Sequence, residues 1–252
     1  MTVAPFPPVE GDVVEDALLG GRVRLRQPAK GYRAGMDAAL LAAAVAAEAG
    51  QRVIEAGCGA GAVLMQIAAR RPGVRLTGLE RDPAIAGLAQ ENAALNGADA
   101  QVVAGDVAAG FRALDLPPFD WAVSNPPFFD DPNALRTPAE GKRGAWMADD
   151  GLKAWTAFLL KSVREGGRIV IIHRADRLAD LLALLGETAG SFAVRGVHPY
   201  ADEPAKRVLV QAIKTGKAPL RLLPPLVLHD RSGAKHTAEA EAVLRGEAGL
   251  GW

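Results

Sequence analysis

Between Met36 and about Lys214 the chain alternates short β-type runs with Ala/Leu-rich helical runs, and this alternation constrains the fold more than any other feature. Strands joined through helices must lie parallel, because a parallel pair needs a crossover that a tight turn cannot supply. Right-handed crossovers then set helices on both faces of one sheet. Met36 to Ala49 reads as a helix stopped by Gly50, and Arg52 to Glu55 as a strand. A glycine loop follows, then a helix over Val63 to Arg70 and a strand over Val74 to Leu79. Asp82-Pro83 supplies an N-cap and a proline at the first helical position, and Asn96-Gly97 closes that helix. Gln101 to Ala104 and Trp121 to Ser124 are strands, Leu152 to Glu165 a helix, Arg168 to Ile172 a strand and Asp176 to Glu187 a helix. The last two strands, Phe192 to Val197 and Arg207 to Ile213, lack a helix between them, which predicts an antiparallel strand at one edge.

The chain has 252 residues, 49% of them apolar, enough for one large α/β domain. Residues 36–216 form its core, residues 1–35 an N-terminal extension packed on the same domain, and residues 217–252 a tail belonging to it. Net formal charge is zero, so any polyanion partner must use a local basic face. Cys58 is the only cysteine, which excludes a disulfide framework or a Cys-based zinc site. The four histidines are too scattered to suggest a metal and fit surface or helix-end positions. Met1 to Gly21 lacks the basic and apolar regions of a signal peptide, and the apolar run Ala38 to Ala47 is too short to span a bilayer. A cytoplasmic setting without membrane contact is expected.

Chemistry concentrates at strand ends. Glu55-Ala56-Gly57-Cys58-Gly59-Ala60-Gly61 lies between a strand and a helix, where glycines permit a tight turn and close approach of a ligand to the backbone. Glu80 closes the next strand, Gly105-Asp106-Val107 follows the third, and Asn125-Pro126-Pro127-Phe128 the fourth. In open parallel sheets, ligands bind beyond these carboxyl ends. The glycine loop with Glu80 fits an adenosine ribose from either a nicotinamide cofactor or S-adenosylmethionine. Consecutive prolines stop the fourth strand in a stiff turn. Its carbonyls, the Asn125 amide and the Phe128 ring can together grip a planar group that carries an NH2.

With these residues in view, Met36 to Ile172 resembles the class I S-adenosylmethionine-dependent methyltransferases, whose Rossmann-like fold is a mostly parallel seven-stranded sheet with an antiparallel edge strand and helices on both faces. The resemblance implies S-adenosylmethionine as cofactor. Glu55, Gly57, Gly59 and Gly61 would surround its methionine part, Glu80 its ribose, and Asp106 with Val107 its adenine. Asn125, Pro126, Pro127 and Phe128 would form the catalytic turn, with Asn125 also beside the cofactor. Gln27-Pro28-Ala29-Lys30-Gly31-Tyr32-Arg33 with Asp37 is similar to the entry motif of the valine-tRNA adenine-N6 methyltransferases. So are Pro225-Leu226-Val227-Leu228-His229 and Thr237-Ala238-Glu239-Ala240. This implies Arg33 and Asp37 near the cofactor, a tRNA adenine beside the anticodon as acceptor, and no metal. The first cations to consider for RNA are Lys142 and Arg143, in the long polar segment after the turn, together with Lys30, Arg33, Arg136, Lys206 and Arg207. Competing readings are a guanine of ribosomal RNA or a protein glutamine as acceptor, a nicotinamide-dependent oxidoreductase, and a non-catalytic RNA-binding module.

Overall fold

The computed structural model describes residues 6–30, 33–127, 148–231 and 233–252. A hairpin comes first, β1 (Val13–Leu18) and β2 (Val23–Pro28), followed by α1 (Met36–Ala43) and β3 (Arg52–Ala56). Then come α2 (Ala62–Arg70), β4 (Arg75–Glu80), α3 (Pro83–Leu95), β5 (Ala100–Ala104) and β6 (Phe119–Ser124). The second half contains α4 (Ala148–Ser162), β7 (Val163–Arg174), α5 (Leu178–Leu185), β8 (Ala189–His198), β9 (Arg207–Lys214), β10 (Arg221–Val227) and α6 (Ala238–Arg245). No helix among the described residues is long and apolar enough to cross a membrane.

Strands β3 to β10 form one sheet in the order β10-β8-β9-β7-β6-β3-β4-β5. Only β9 runs antiparallel to its neighbours. The expected class is therefore present, with two corrections. The sheet has eight strands, and the antiparallel strand lies inside it, because the crossover through α5 sets β8 two positions from β7 and β9 returns to fill the gap. The eighth strand, β10, joins β8 in parallel from the segment expected to be a tail, with a register shift across Pro224-Pro225. Alternation along the strands sorts the core into two layers. Val53, Trp121, Val123, Val170 and Ile172 face α1, α2 and α3, while Ile54, Ala122, Ile169 and Ile171 face α4 and α5.

The helix termini follow the chemistry of their ends. Asp82 caps α3 by accepting from the N–H groups of Ala84 (2.9 Å) and Ile85 (3.4 Å), Pro83 occupies the first turn, and Gly97 ends it at φ +61°. Helix α1 stops at Ala43 rather than at Ala49. The carbonyls that would continue it are taken from afar: Ala43 O by Leu250 N (2.9 Å), Ala44 O by Trp252 Nε1 (2.6 Å) and Val45 O by Arg71 Nε (3.0 Å). The outer edge of β2 is closed by α3, whose Asn92 and Asn96 side chains pair with the backbone of Arg26 and Arg24.

Candidate functional site

Four adjacent strands, in the order β6-β3-β4-β5, end on one side of the sheet, and the polar residues found in the sequence end there with them. In the loop after β3, Gly57, Gly59 and Gly61 all have positive φ (+69°, +54° and +86°), which side-chain-bearing residues adopt only at a cost. A Cβ on Gly57 would stand 2.3 Å from Trp155 on α4, whereas one on Gly59 would meet nothing within 4 Å. Trp155 thus floors the first glycine, and the second faces open space.

Glu80 ties this loop to the next. Its Oε2 accepts from Gly59 N at 3.0 Å and its Oε1 from Asp82 N at 2.9 Å. Each carboxylate oxygen keeps a lone pair for a further donor. The Glu80 carbonyl accepts from Gly105 N at 2.8 Å, which seats the turn after β5. There Asp106 accepts from Ala108 N at 2.9 Å and Val107 is buried.

Glu55 is only 2% exposed, and its Oε2 has no hydrogen-bond partner. Burial, and then the Glu80 carboxylate, push its pKa well above the usual range; a hydrogen bond from the Leu64 N–H opposes this in part. A buried acid with an unused oxygen beside a glycine loop suits a cationic ligand group. Cys58 is likewise buried, with its pKa raised by burial and by both carboxylates, so it is a thiol wedged against Gly78 and not a nucleophile.

The turn after β6 abuts this loop directly. Ser124 Oγ donates to Ala56 O at 2.9 Å, which locks the last residue of β6 to the last residue of β3. Asn125 is half-buried and Pro126 buried. Phe128, Arg136, Lys142 and Arg143 lie outside the described residues. Arg33 is not in the strand-end row: it pairs with Asp16 of β1. Asp37, in the first turn of α1, pairs with Arg207 at 2.9 Å, at the same end of the sheet but on the β9 side. Lys30 and Lys206 are exposed. Two features of the site had no signal in the sequence, Trp155 under Gly57 and Asn92, whose Nδ2 donates to Ala60 O at 2.9 Å.

His173 departs from the expected surface position. It is 3% exposed near the end of β7, and burial, with Arg177 and Arg174 next, lowers its pKa to about 4. Its folded pKa lies below the unfolded value of 6.5. Between the two the unfolded chain binds the extra proton, so stability falls as pH falls. Urea titrations at pH 5 should show about 2 kcal/mol less stability than at pH 7 from this residue. His173→Gln should flatten the interval, and an unchanged slope would place the proton elsewhere.

No group of three or more His, Cys, Asp or Glu residues among the described residues could hold a metal ion. The site therefore presents a glycine cradle, two carboxylates at adjacent strand ends, and a stiff Asn-Pro-Pro turn. The strand order is that of the class I S-adenosylmethionine-dependent methyltransferases, and the chain has their fold. More narrowly, residues 33–138 match the family model of the methyltransferase small domain.

The release factor glutamine methyltransferase of Deinococcus radiodurans is 38% identical over 147 residues, covering 55% of this chain and 51% of that one. The tRNA1(Val) (adenine(37)-N6)-methyltransferase of Dickeya chrysanthemi is 28% identical over 199 residues, 76% of each chain. A solved structure described as a predicted O-methyltransferase from Agrobacterium tumefaciens superimposes with a TM-score of 0.70 at 28% identity, covering 85% of this chain and 98% of its own. The chain spans about half the length of the glutamine methyltransferases it matches, 51% and 55% in two cases.

Proposed function

We propose that this protein transfers a methyl group from S-adenosylmethionine to the exocyclic N6 amino group of an adenine in tRNA. The observation that carries the reading is the junction of the Asn125 turn with the glycine loop through Ser124 and Ala56. It sets a hydrogen-bonding turn beside a cofactor cradle. Glu80 would hold the ribose hydroxyls through its remaining lone pairs, Asp106 the adenine amino group, and Glu55 the cationic methionine end. Bound S-adenosylmethionine supplies an electrophilic methyl group on a sulfonium.

The acceptor nitrogen is a poor nucleophile, because its lone pair is delocalised into the purine. The Asn125 amide oxygen and the Pro126 carbonyl would accept from the NH2 and turn the lone pair toward the methyl, with Phe128 stacking on the base. A single-stranded loop is the least costly source of such a base, since it requires little unstacking. Lys142 and Arg143 would meet the RNA backbone.

The choice of tRNA is supported by the reach of the resemblance. The match to the Dickeya adenine methyltransferase extends over 76% of both chains, against about half of the glutamine enzymes. A second reading keeps the same machinery with a protein glutamine as acceptor, and the 38% identity to the Deinococcus enzyme favours it. Incubating the protein and labelled S-adenosylmethionine with total tRNA and with a release factor separates the two. N6-methyladenosine in one tRNA is the expected product, and label confined to the release factor would transfer the assignment to glutamine.

A further inference from the structure

Asn92 is fully buried on α3, and its amide serves two segments far apart in sequence. Oδ1 accepts from Arg26 N at 2.8 Å, while Nδ2 donates to Arg26 O at 2.7 Å and to Ala60 O at 2.9 Å. The first two bonds clamp the edge of β2, and the third ends in the glycine loop. One helical turn later, Asn96 repeats the clamp on Arg24 (3.0 and 2.7 Å) without a bond to the loop.

Ala60 lies between two glycines in the left-handed region. Such residues leave the intervening peptide planes free to pivot unless something holds them. The Ala60–Gly61 plane is held at both ends, its C=O by Asn92 and its N–H by Cys58 O at 2.9 Å. The hairpin also braces the segment leading into α1, where Gln27 Oε1 accepts from Ala34 N at 3.0 Å.

We propose that Asn92 is a positioning residue for the cofactor loop: by fixing the Ala60 carbonyl it couples docking of the β1–β2 hairpin to S-adenosylmethionine affinity. The proposal rests on the reading of the glycine loop as the S-adenosylmethionine site. Without Asn92 the loop must be ordered at the cost of binding, so affinity falls while the chemical step, performed at the β6 turn, is unaffected. Loss of one buried hydrogen bond predicts about a tenfold effect.

The test compares Asn92→Ala with Asn96→Ala, which removes the Arg24 clamp and leaves the link from Arg26 through Asn92 to Ala60 in place. Calorimetry with S-adenosylhomocysteine and steady-state assays should show about a tenfold rise in Kd and in KM for S-adenosylmethionine in Asn92→Ala, with kcat within twofold. Asn96→Ala should bind as wild type at a comparable loss of Tm. Equal Kd rises in the two variants, or none in Asn92→Ala, would overturn the proposal.

If Asn92→Ala does not fold, hydrogen exchange of the wild type decides, because coupling is reciprocal. S-adenosylhomocysteine should slow exchange of the Arg26 amide, and an unchanged Arg26 amide in the bound protein overturns the coupling. Failure of S-adenosylhomocysteine to bind the wild type at all removes the cofactor reading itself, and the proposal with it.

Discussion

Asn125→Ala should lower methyl transfer by about 10²–10³-fold while S-adenosylhomocysteine binding stays within twofold of wild type. The separation follows from what holds the turn in place. Its backbone is fixed by the buried Ser124–Ala56 bond and by Pro126 and Pro127, whose φ angles need no help from the Asn125 side chain. The cradle around Gly57, Gly59 and Glu80 has bonds of its own, to Leu79 O, Glu80 and Asn92, and is expected to persist in the variant. What would disappear, on the proposed mechanism, is an acceptor for the substrate amino group, needed most as the nitrogen develops positive charge. Single-turnover assays with saturating cofactor measure the loss directly. Turnover unchanged by the substitution would take Asn125 out of the mechanism, and a parallel loss of cofactor affinity would make it a binding residue instead.

Strand and helix order was legible because each element carries its own local signal. Asp82-Pro83 and Asn96-Gly97 bound α3 as their cap chemistry dictates, and the three glycines between β3 and α2, expected to permit a tight turn, all take positive φ. What was not legible depends on partners distant in the chain. The end of α1 is set by Leu250, Trp252 and Arg71, about which the Ala/Leu periodicity of Met36 to Ala49 says nothing. Strand β10 was concealed by Pro224-Pro225, which argue against a strand, yet a sheet edge tolerates them.

The hairpin is a different matter. Val23, Leu25 and Gln27 alternate inward after Gly20-Gly21, a readable signal that the acidic, proline-containing start obscured. At the site the acids at strand ends were visible one by one. Their neighbours were not, because Trp155 reaches Gly57 across about a hundred residues and Asn92 looks like any helical Asn.

Gly57→Ala and Gly59→Ala should separate fold from ligand within one loop. At Gly57 two costs combine: φ of +69°, and a methyl 2.3 Å from Cη2 of the Trp155 ring, a rigid plane that cannot swing away like the end of a flexible chain. Left-handed strain and overpacking together predict about 3 kcal/mol of lost stability. At Gly59 only the strain applies, about 1 kcal/mol, because a Cβ there meets nothing within 4 Å. If that open space is where the cofactor's methionine part approaches the backbone, Gly59→Ala should lose cofactor affinity by at least about tenfold with a nearly normal Tm.

Urea denaturation and calorimetry on the two variants provide the comparison. A double-mutant cycle isolates the ring: Gly57→Ala in a Trp155→Leu background should cost less than in the wild type by about 1 kcal/mol or more, since the two residues are in contact. Additive costs would remove Trp155 as the cause and leave backbone strain alone. Full cofactor affinity in Gly59→Ala would mean that the open face of the loop is not the ligand's. The two glycines share a backbone conformation and differ in what they face, so the stability loss is expected at the one packed on Trp155 and the binding loss at the one facing the opening.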